Sequence, residues 1–472
     1  AAIAAVAFTV ALYLWGLPAA ARTVAVIVPI QWEQALGQSI IDDLDLSADL
    51  CLDPVRENII DDILASLVKA RPGPGYTFQV WVLDDDDVNA FALPGGYIYV
   101  TRGLLSVSNS EAELAAVLGH EAGHITGRHS AERYSRGVVT SLGVGILSAA
   151  IDKTGVSQAL GLGSQLYMSS YSRDQEREAD TLGIRYLDQS NYDAGAMAGF
   201  LTNLQNWSAF EDQVNGRQGS AISSYFSTHP ATEERVAKTR AEAAQVADAG
   251  VQNRNQFLDK INGMTYGDSS SHGFVRGQTF IHPEMGFQFT APNGFRIINQ
   301  PSQVIAASQG GAVMVFDMVT RASGQDALTY LRQGWLKNET VSSAQSITIS
   351  GMPAATASFN GNINNQPMEI RLIAIEFAPN KFARFQIGIP RNTPAQTVEE
   401  LKRASYSFDR VNTNDPAYRP HRLQVITAGA GDTVNSLATR FPYSQYNVER
   451  FRVLNGMNPG EQVRAGERYK IV

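Results

Sequence analysis

Between Glu111 and His124 the apolar residues Leu114, Ala115, Val117 and Leu118 recur at the spacing of one helix face. Ser110 precedes that run and Glu113 follows three residues later, which predicts a capping box. The Ser110 side chain would take the Glu113 amide and the Glu113 carboxylate would reach back. A helix is therefore expected from about Glu111 past His124. Between Asn89 and Val100 the pattern changes: Pro94-Gly95-Gly96 marks a turn, and Tyr97-Ile98-Tyr99-Val100 is rich in strand formers. Asp84 to Asp87 lacks the spacing of a calcium loop and reads as a solvated acidic turn.

Two other stretches are apolar without such periodicity. Ala1 to Leu17 carries no charge; it is near the lower limit for a spanning helix and equally fits the hydrophobic core of a signal peptide. Residues 1–24 are accordingly expected to be an anchor or signal segment. Val138 to Ile151 is too short and too broken by glycine to span a membrane, so a buried hairpin or a lid is expected there.

A chain of 472 residues is too long for one core. After a helical stretch reaching Ile261, Tyr266 to Gly273 reads as a linker. From Gly277 short strand-like runs follow, among them Phe287 to Phe289, Ala312 to Phe316 and Ile370 to Ala374. Helix-like segments at Asp326 to Leu336 and Thr397 to Ser405 interrupt them, predicting an α+β domain with an antiparallel sheet. A second linker runs from Asn412 to Pro420. The expected layout is multidomain: a mainly helical α+β domain over 25–266, a linker at 267–276, an α+β antiparallel-sheet domain over 277–411, a linker at 412–422 and a small module over 423–472.

The chemistry concentrates at His120-Glu121-Ala122-Gly123-His124. Histidines four apart on a helix project from one face, so both imidazoles can bind one metal ion. Glu121 lies on an adjoining part of that face, placed to act as general base toward water at the metal. Two histidines leave zinc short of ligands, and the best third candidate is Glu176 in Ser172-Arg173-Asp174-Gln175-Glu176-Arg177-Glu178-Ala179-Asp180. Asp180, four residues on, is expected to hydrogen-bond the far nitrogen of a ligand histidine, His120, and fix its tautomer. Glu178 points elsewhere. The alternative is that these residues form surface ion pairs. His129 is nine residues beyond His120, which on a continuous helix turns it away from the metal and leaves it a structural hydrogen-bonding residue.

Val88 to Ile98, the Glu113-to-Glu121 run and Glu176 to Asp180 occur together in an order that resembles the gluzincin metallopeptidase family of the CAAX prenyl protease, HtpX and BepA type. The resemblance covers about residues 25 to 245. It implies His120, His124 and Glu176 as ligands of one zinc ion per chain, Glu121 as catalytic base, and Thr228-His229-Pro230 with Arg235 as a later motif approaching the metal. His229 would cap the zinc in a self-inhibited state or stabilise an oxyanion. The same resemblance implies that the segment holding Asn89, Gly95, Gly96 and Tyr97 is an edge strand to which an extended substrate adds. Trp32-Glu33-Gln34-Ala35-Leu36-Gly37 also fits the family pattern, and favours an uncleaved N-terminal anchor. Residues 277–411 loosely resemble PsbP-like domains. Residues 423 to 472 resemble a LysM module, with strand, helix, helix and strand in order, which implies binding of N-acetylglucosamine glycans such as peptidoglycan.

Composition narrows the picture. The net charge of −8, with no basic cluster, argues against nucleic acid as a partner. One cysteine, Cys51, rules out an internal disulfide. The expected function is a zinc endopeptidase of the bacterial envelope, acting on misfolded or unassembled polypeptides, associated with the membrane by its N-terminus and with glycan by its tail. The alternatives are a protease-like chaperone or scaffold and a peptidoglycan hydrolase.

Overall fold

A computed structural model describes residues 29–46, 50–51, 63, 67, 76–133, 170–214, 224–230, 233–246, 250–300, 302–320, 324–336, 341, 343–363, 366–412 and 418–472. The apolar segments 1–24 and 138–151 lie outside the described residues. Among the described residues no helix is long and apolar enough to cross a membrane. The chain forms two compact units, Ala1–Tyr266 together with Arg422–Val472, and Gly267–His421.

The first unit is built around a small sheet and a set of helices. Helix α1 (Ile30–Asp43) precedes strands β1 (Gln79–Leu83), β2 (Ala90–Leu93) and β3 (Tyr97–Thr101). The strand order is β1-β3-β2, with β1 parallel and β2 antiparallel to β3. Successive strand residues point to opposite faces, and both faces are covered. Ala90, Ala92, Ile98 and Val100 join the main core, whereas Phe91, Leu93 and Tyr99 pack with Leu36, Ile40 and Ile41 of α1. The turn between β2 and β3 needs its glycines: Gly95 and Gly96 have φ of +94° and +112°. A side chain on Gly95 would also collide with the backbone of Gln34 in α1, at 2.5 Å.

Helix α2 (Arg102–Val107) leads into α3 (Glu111–Thr126), and α4 (Arg173–Gln189), α5 (Ala196–Val214), α6 (Ser224–Thr228), α7 (Glu233–Ala243) and α8 (Arg254–Ile261) follow. The acidic turn before α2 is partly tied down rather than simply solvated, because buried Arg102 donates from Nε to Asp84 at 2.7 Å.

Residues 424–471 form strand β15 (Gln424–Thr427), helices α10 (Val434–Ala438) and α11 (Asn447–Leu454), and strand β16 (Arg468–Ile471) paired antiparallel to β15. This segment, expected to stand as a module of its own, shares a core with the helices: Leu423, Leu437, Phe451, Leu454 and Ile471 belong to one cluster with Leu114, Val117 and Phe200. Lys470 is fully buried and donates from Nζ to the carbonyls of Ser106 and Ser108, each at 2.7 Å. Those carbonyls lie at the end of α2, where a donor satisfies acceptors that the helix leaves unpaired.

The second unit is an α+β fold with a seven-stranded antiparallel sheet. Its strands are β7 (Arg296–Gln300), β8 (Gln303–Ala307), β9 (Val313–Thr320), β10 (Gln345–Ile349), β11 (Met352–Ile363), β12 (Gln366–Ala378) and β13 (Lys381–Pro390), in the order β10-β11-β12-β13-β9-β8-β7. A four-stranded sheet is formed by β4 (Phe274–Arg276), β5 (Thr279–His282), β6 (Phe287–Thr290) and β14 (Asp409–Arg410). Along β12 the alternation is clean. Ile373, Ile375 and Phe377 pack with Phe287, Phe289 and Leu401 of helix α9 (Ala395–Tyr406), while Leu372 and Ala374 face Tyr330 and Leu331 of a short helical segment.

Candidate metal centre and active site

Helix α3 begins where the sequence indicates. Ser110 accepts from the Glu113 amide at 3.2 Å, but the return half of the expected box is shifted by one residue: Glu113 takes the amide of Asn109, at 2.8 Å, rather than that of Ser110. Helix α4 carries a complete capping box from Ser172 and Gln175. The two helices pack closely because small residues face each other. A Cβ on Gly123 would sit 2.9 Å from the Ala179 carbonyl, and one on Gly119 would sit 3.4 Å from Gly183 Cα. That close approach brings Glu176 and Asp180 of α4 onto the histidine face of α3.

The result is one buried cluster holding His120, Glu121, His124, Glu176, Asp180, His229 and Arg235. His120 Nε2 and His124 Nε2 are 3.0 Å apart, and Glu176 carboxylate oxygens stand 3.6 Å and 3.4 Å from them. His120 turns its other nitrogen to Asp180, Nδ1 to Oδ1, at 2.9 Å. His229, at the end of α6, places Nδ1 3.0 Å from Glu176 Oε1 and Nε2 3.5 Å from Glu121 Oε1, and its ring stacks on Tyr225. Arg235 in the first turn of α7 clasps both carboxylates: Nη1 to Glu176 at 2.6 Å, Nε and Nη2 to Asp180 at 2.6 Å and 2.8 Å.

Burial sets the electrostatics and the neighbours correct it. Desolvation disfavours a His120 cation, yet hydrogen bonds from Asp180 and Glu176 outweigh that and hold its pKa up at about 9. His124 lacks such support in the balance, and burial pushes it well below the usual histidine range. Burial also works against the Glu176 carboxylate, but His229 and Arg235 outweigh it and keep it ionised far below its usual range. Arg235 does the same for Asp180.

The donor set fits zinc. One ligand atom each from His120, His124, Glu176 and His229 lie within 4.8 Å of one another, an N/O set of the kind that binds zinc tetrahedrally. Both carboxylate oxygens of Glu121 are buried without a hydrogen-bond partner, as is Nε2 of His229. A buried carboxylate without partners is costly, and a cation with water beside it would remove that cost.

Two sequence expectations need correction. Tyr97 does not lie on an edge strand: β3 is the central strand, with Tyr97 opposite Gln79 on one side and Leu93 on the other. Asn89, Gly95 and Gly96 flank β2, which among the described residues is an outer strand of this sheet and packs on α3. His129 is a hydrogen-bonding residue outside the donor set, as expected, but it lies nearer the site than a continuous helix would put it. Helix α3 ends at Thr126, a turn at Gly127 and Arg128 follows, and His129 Nδ1 comes within 2.9 Å of His124 Nδ1. Tyr171, which carried no sequence signal, stacks on the His124 ring at 3.8 Å.

Residues 54–243 match the model of peptidase family M48. The beta-barrel assembly-enhancing protease of Escherichia coli K12 is 30% identical over 326 residues, covering 64% of this chain and 65% of that protein. Its namesake from Yersinia pestis is 28% identical over 328 residues, with the same coverage. The mitochondrial metalloendopeptidase OMA1 of Schizosaccharomyces pombe is 34% identical over 179 residues, 38% of this chain and 50% of that one. The matched region thus spans just under two thirds of the bacterial relatives' length. The HExxH helix, Glu176 and the buried donor set all lie inside the span, residues 54–243, that is similar to peptidase family M48.

Proposed function

We propose that this chain is a zinc-dependent endopeptidase of the bacterial cell envelope, cleaving misfolded or unassembled polypeptides. The observation that carries the reading is Glu121: a carboxylate with both oxygens buried and without a hydrogen bond, on the same helix as His120 and His124 and across from Glu176. His120, His124 and Glu176 would hold the metal. Zinc bound there supplies a Lewis acid that polarises a scissile carbonyl and lowers the pKa of water. Glu121 takes the proton of the attacking water and passes it to the leaving amine. Asp180 fixes the tautomer of His120, and Arg235 holds Glu176 and Asp180 in place. His229, which contacts both Glu176 and Glu121, occupies the room that substrate needs, so the arrangement described here is a resting one and His229 must swing aside before it can serve an oxyanion.

An extended polypeptide would add to the outer strand β2, beside α3, which reads backbone more than side chains and suits unfolded substrates. The names of the bacterial relatives support an envelope setting. The finer assignments are that 1–24 is the anchor or signal segment, 25–266 the peptidase domain, 277–411 a binding or spacing domain and 423–472 a glycan-binding module. The strand-helix-helix-strand order of 424–471 supports the last of these.

The deciding experiment is digestion of an unfolded protein such as casein by the wild type and by Glu121→Gln, with zinc content measured in both. Wild-type cleavage, lost in a variant that keeps its zinc, is the expected result. If both bind zinc and neither cleaves, even with His229→Ala added, a scaffold role replaces this reading.

A further inference from the structure

Each ligand histidine turns one nitrogen toward the metal-holding group and one away. For His120 the outward nitrogen meets Asp180. For His124 it meets His129, Nδ1 to Nδ1 at 2.9 Å, and both rings are buried. With Nε2 of His124 turned to His120 and Glu176, its Nδ1 carries the proton and donates, and His129 Nδ1 accepts. His129 Nε2 then holds its hydrogen 3.6 Å from Glu178 Oε2.

The chain goes to some length to put His129 there. A residue nine beyond His120 on a straight helix would point elsewhere. Here α3 stops at Thr126 and Arg128 takes φ of +56°, a left-handed conformation that a non-glycine residue rarely adopts. Gly127 leaves room, because a Cβ on it would meet His129 Nε2 at 2.6 Å. Arg128 is held in that conformation from a distant element. Its Nε donates to Glu33 Oε1 at 2.8 Å, and Tyr76 donates to Glu33 Oε2 at 3.0 Å. Glu33 is buried in α1, within the Trp32-to-Gly37 motif that the proposed chemistry leaves unexplained.

We propose that His129 is a positioning residue for the ligand His124, and that the Glu33–Arg128 pair exists to hold the turn that seats it. The proposal rests on the reading of His120, His124 and Glu176 as the metal-holding set. The two ligand histidines are then oriented by different groups, a carboxylate behind His120 and a neutral imidazole behind His124.

The test compares zinc affinity of the full chain, by competition with a chromophoric chelator, in the wild type, His129→Leu and His129→Asn, with thermal melts of the metal-free proteins alongside. An asparagine oxygen can occupy the place of Nδ1, whereas leucine fills the space without accepting. His129→Leu is expected to lose about tenfold to a hundredfold in affinity, and His129→Asn to retain most of it. Should His129→Leu not fold, His129→Gln takes its place, since its amide reaches toward the Nε2 position and is expected to lose affinity as well. Equal affinities in the folded variants, whether at the wild-type level or equally reduced, overturn the proposal, because packing alone would then account for the residue. A wild type that binds no zinc removes the metal reading itself, and the proposal with it.

Discussion

Asp180 Oδ1 stands 2.9 Å from Nδ1 of His120, on the side of the ring turned away from His124 and Glu176. That contact has a consequence for zinc binding. With the protein groups alone, His120 holds its proton up to a pKa of about 9, because the Asp180 and Glu176 hydrogen bonds outweigh burial. His124 is held neutral and Glu176 ionised, so neither has a proton to give up at neutral pH. Zinc needs a neutral imidazole, and binding at pH 7 should therefore release about one proton. The sign follows: affinity rises by about tenfold per pH unit up to about pH 9 and levels off above it. Calorimetry in buffers of different protonation heat measures the release. Asp180→Asn should reduce it at pH 7 and bring the plateau to lower pH; an unchanged release in that variant would show that Asp180 does not set the His120 proton.

Arg235 presents a second relationship of this kind, since one guanidinium serves two buried carboxylates, Glu176 and Asp180. Removing the cation leaves Glu176 with only its histidine neighbours and Asp180 with only His120. Arg235→Gln is expected to cost the metal-free protein about 3–5 kcal/mol, the range for breaking a buried pair. With Glu176 as a ligand, zinc would bind the folded form and should restore part of that. Arg235→Lys should behave more like the glutamine variant than like the wild type, as a single ammonium cannot span two carboxylates. Urea unfolding with and without zinc gives the answer, and a lysine variant as stable as the wild type would sink the clasp.

Lys470 ties the C-terminal segment to the helices of the first unit. Its Nζ is buried against the Ser106 and Ser108 carbonyls, at the turn that leads into the Ser110 cap of α3, and burial holds its pKa well below the usual lysine range. Lys470→Met should lose about 0.5–1.5 kcal/mol for each hydrogen bond broken. Deleting 423–472 removes Phe451, Leu454 and Ile471 from the core they share with Leu114. The remaining chain is expected not to fold to a cooperative state. A sharp thermal transition in that truncation, near the wild-type midpoint, would show that the segment only decorates the unit.

How far the site was readable from sequence depends on the distance over which each relationship acts. His120, Glu121 and His124 are fixed by helical spacing alone, and so is the pairing of Glu176 with Asp180 once α4 is assumed to face α3. The positions of His229 and Arg235 came from family resemblance, because no local period links residues more than 50 apart to α3. His129 was misplaced for a definite reason. Helical spacing holds only along a continuous helix, and the turn at Arg128 is tied to Glu33, which lies 95 residues earlier. The central place of β3 was hidden similarly, since its parallel partner β1 is separated from it by the whole of β2. In the second unit, the alternation of β12 and the helix at α9 were legible because their periods are local.

The seam between α3 and α4 offers a sharper test of how the site is held, because two glycines on one helix make opposite predictions. A Cβ on Gly123 would lie 2.9 Å from the Ala179 carbonyl oxygen and 3.0 Å from Ala179 Cα, both rigid backbone atoms. To accept it α4 must move away by a few tenths of an ångström, and Ala179 stands between Glu176 and Asp180. A Cβ on Gly119 would meet Gly183 at 3.4 Å, an ordinary contact. Both glycines sit inside the helix, so alanine gains similar helix propensity at either, about 0.8–1 kcal/mol. Gly119→Ala is thus expected to be neutral or stabilising with zinc affinity intact. Gly123→Ala should keep its helical circular dichroism yet bind zinc more weakly, as the α4 ligand is displaced from the α3 pair. Propensity cancels in the comparison, so a Gly123→Ala protein with the zinc affinity of Gly119→Ala would mean that helix spacing does not set the metal site.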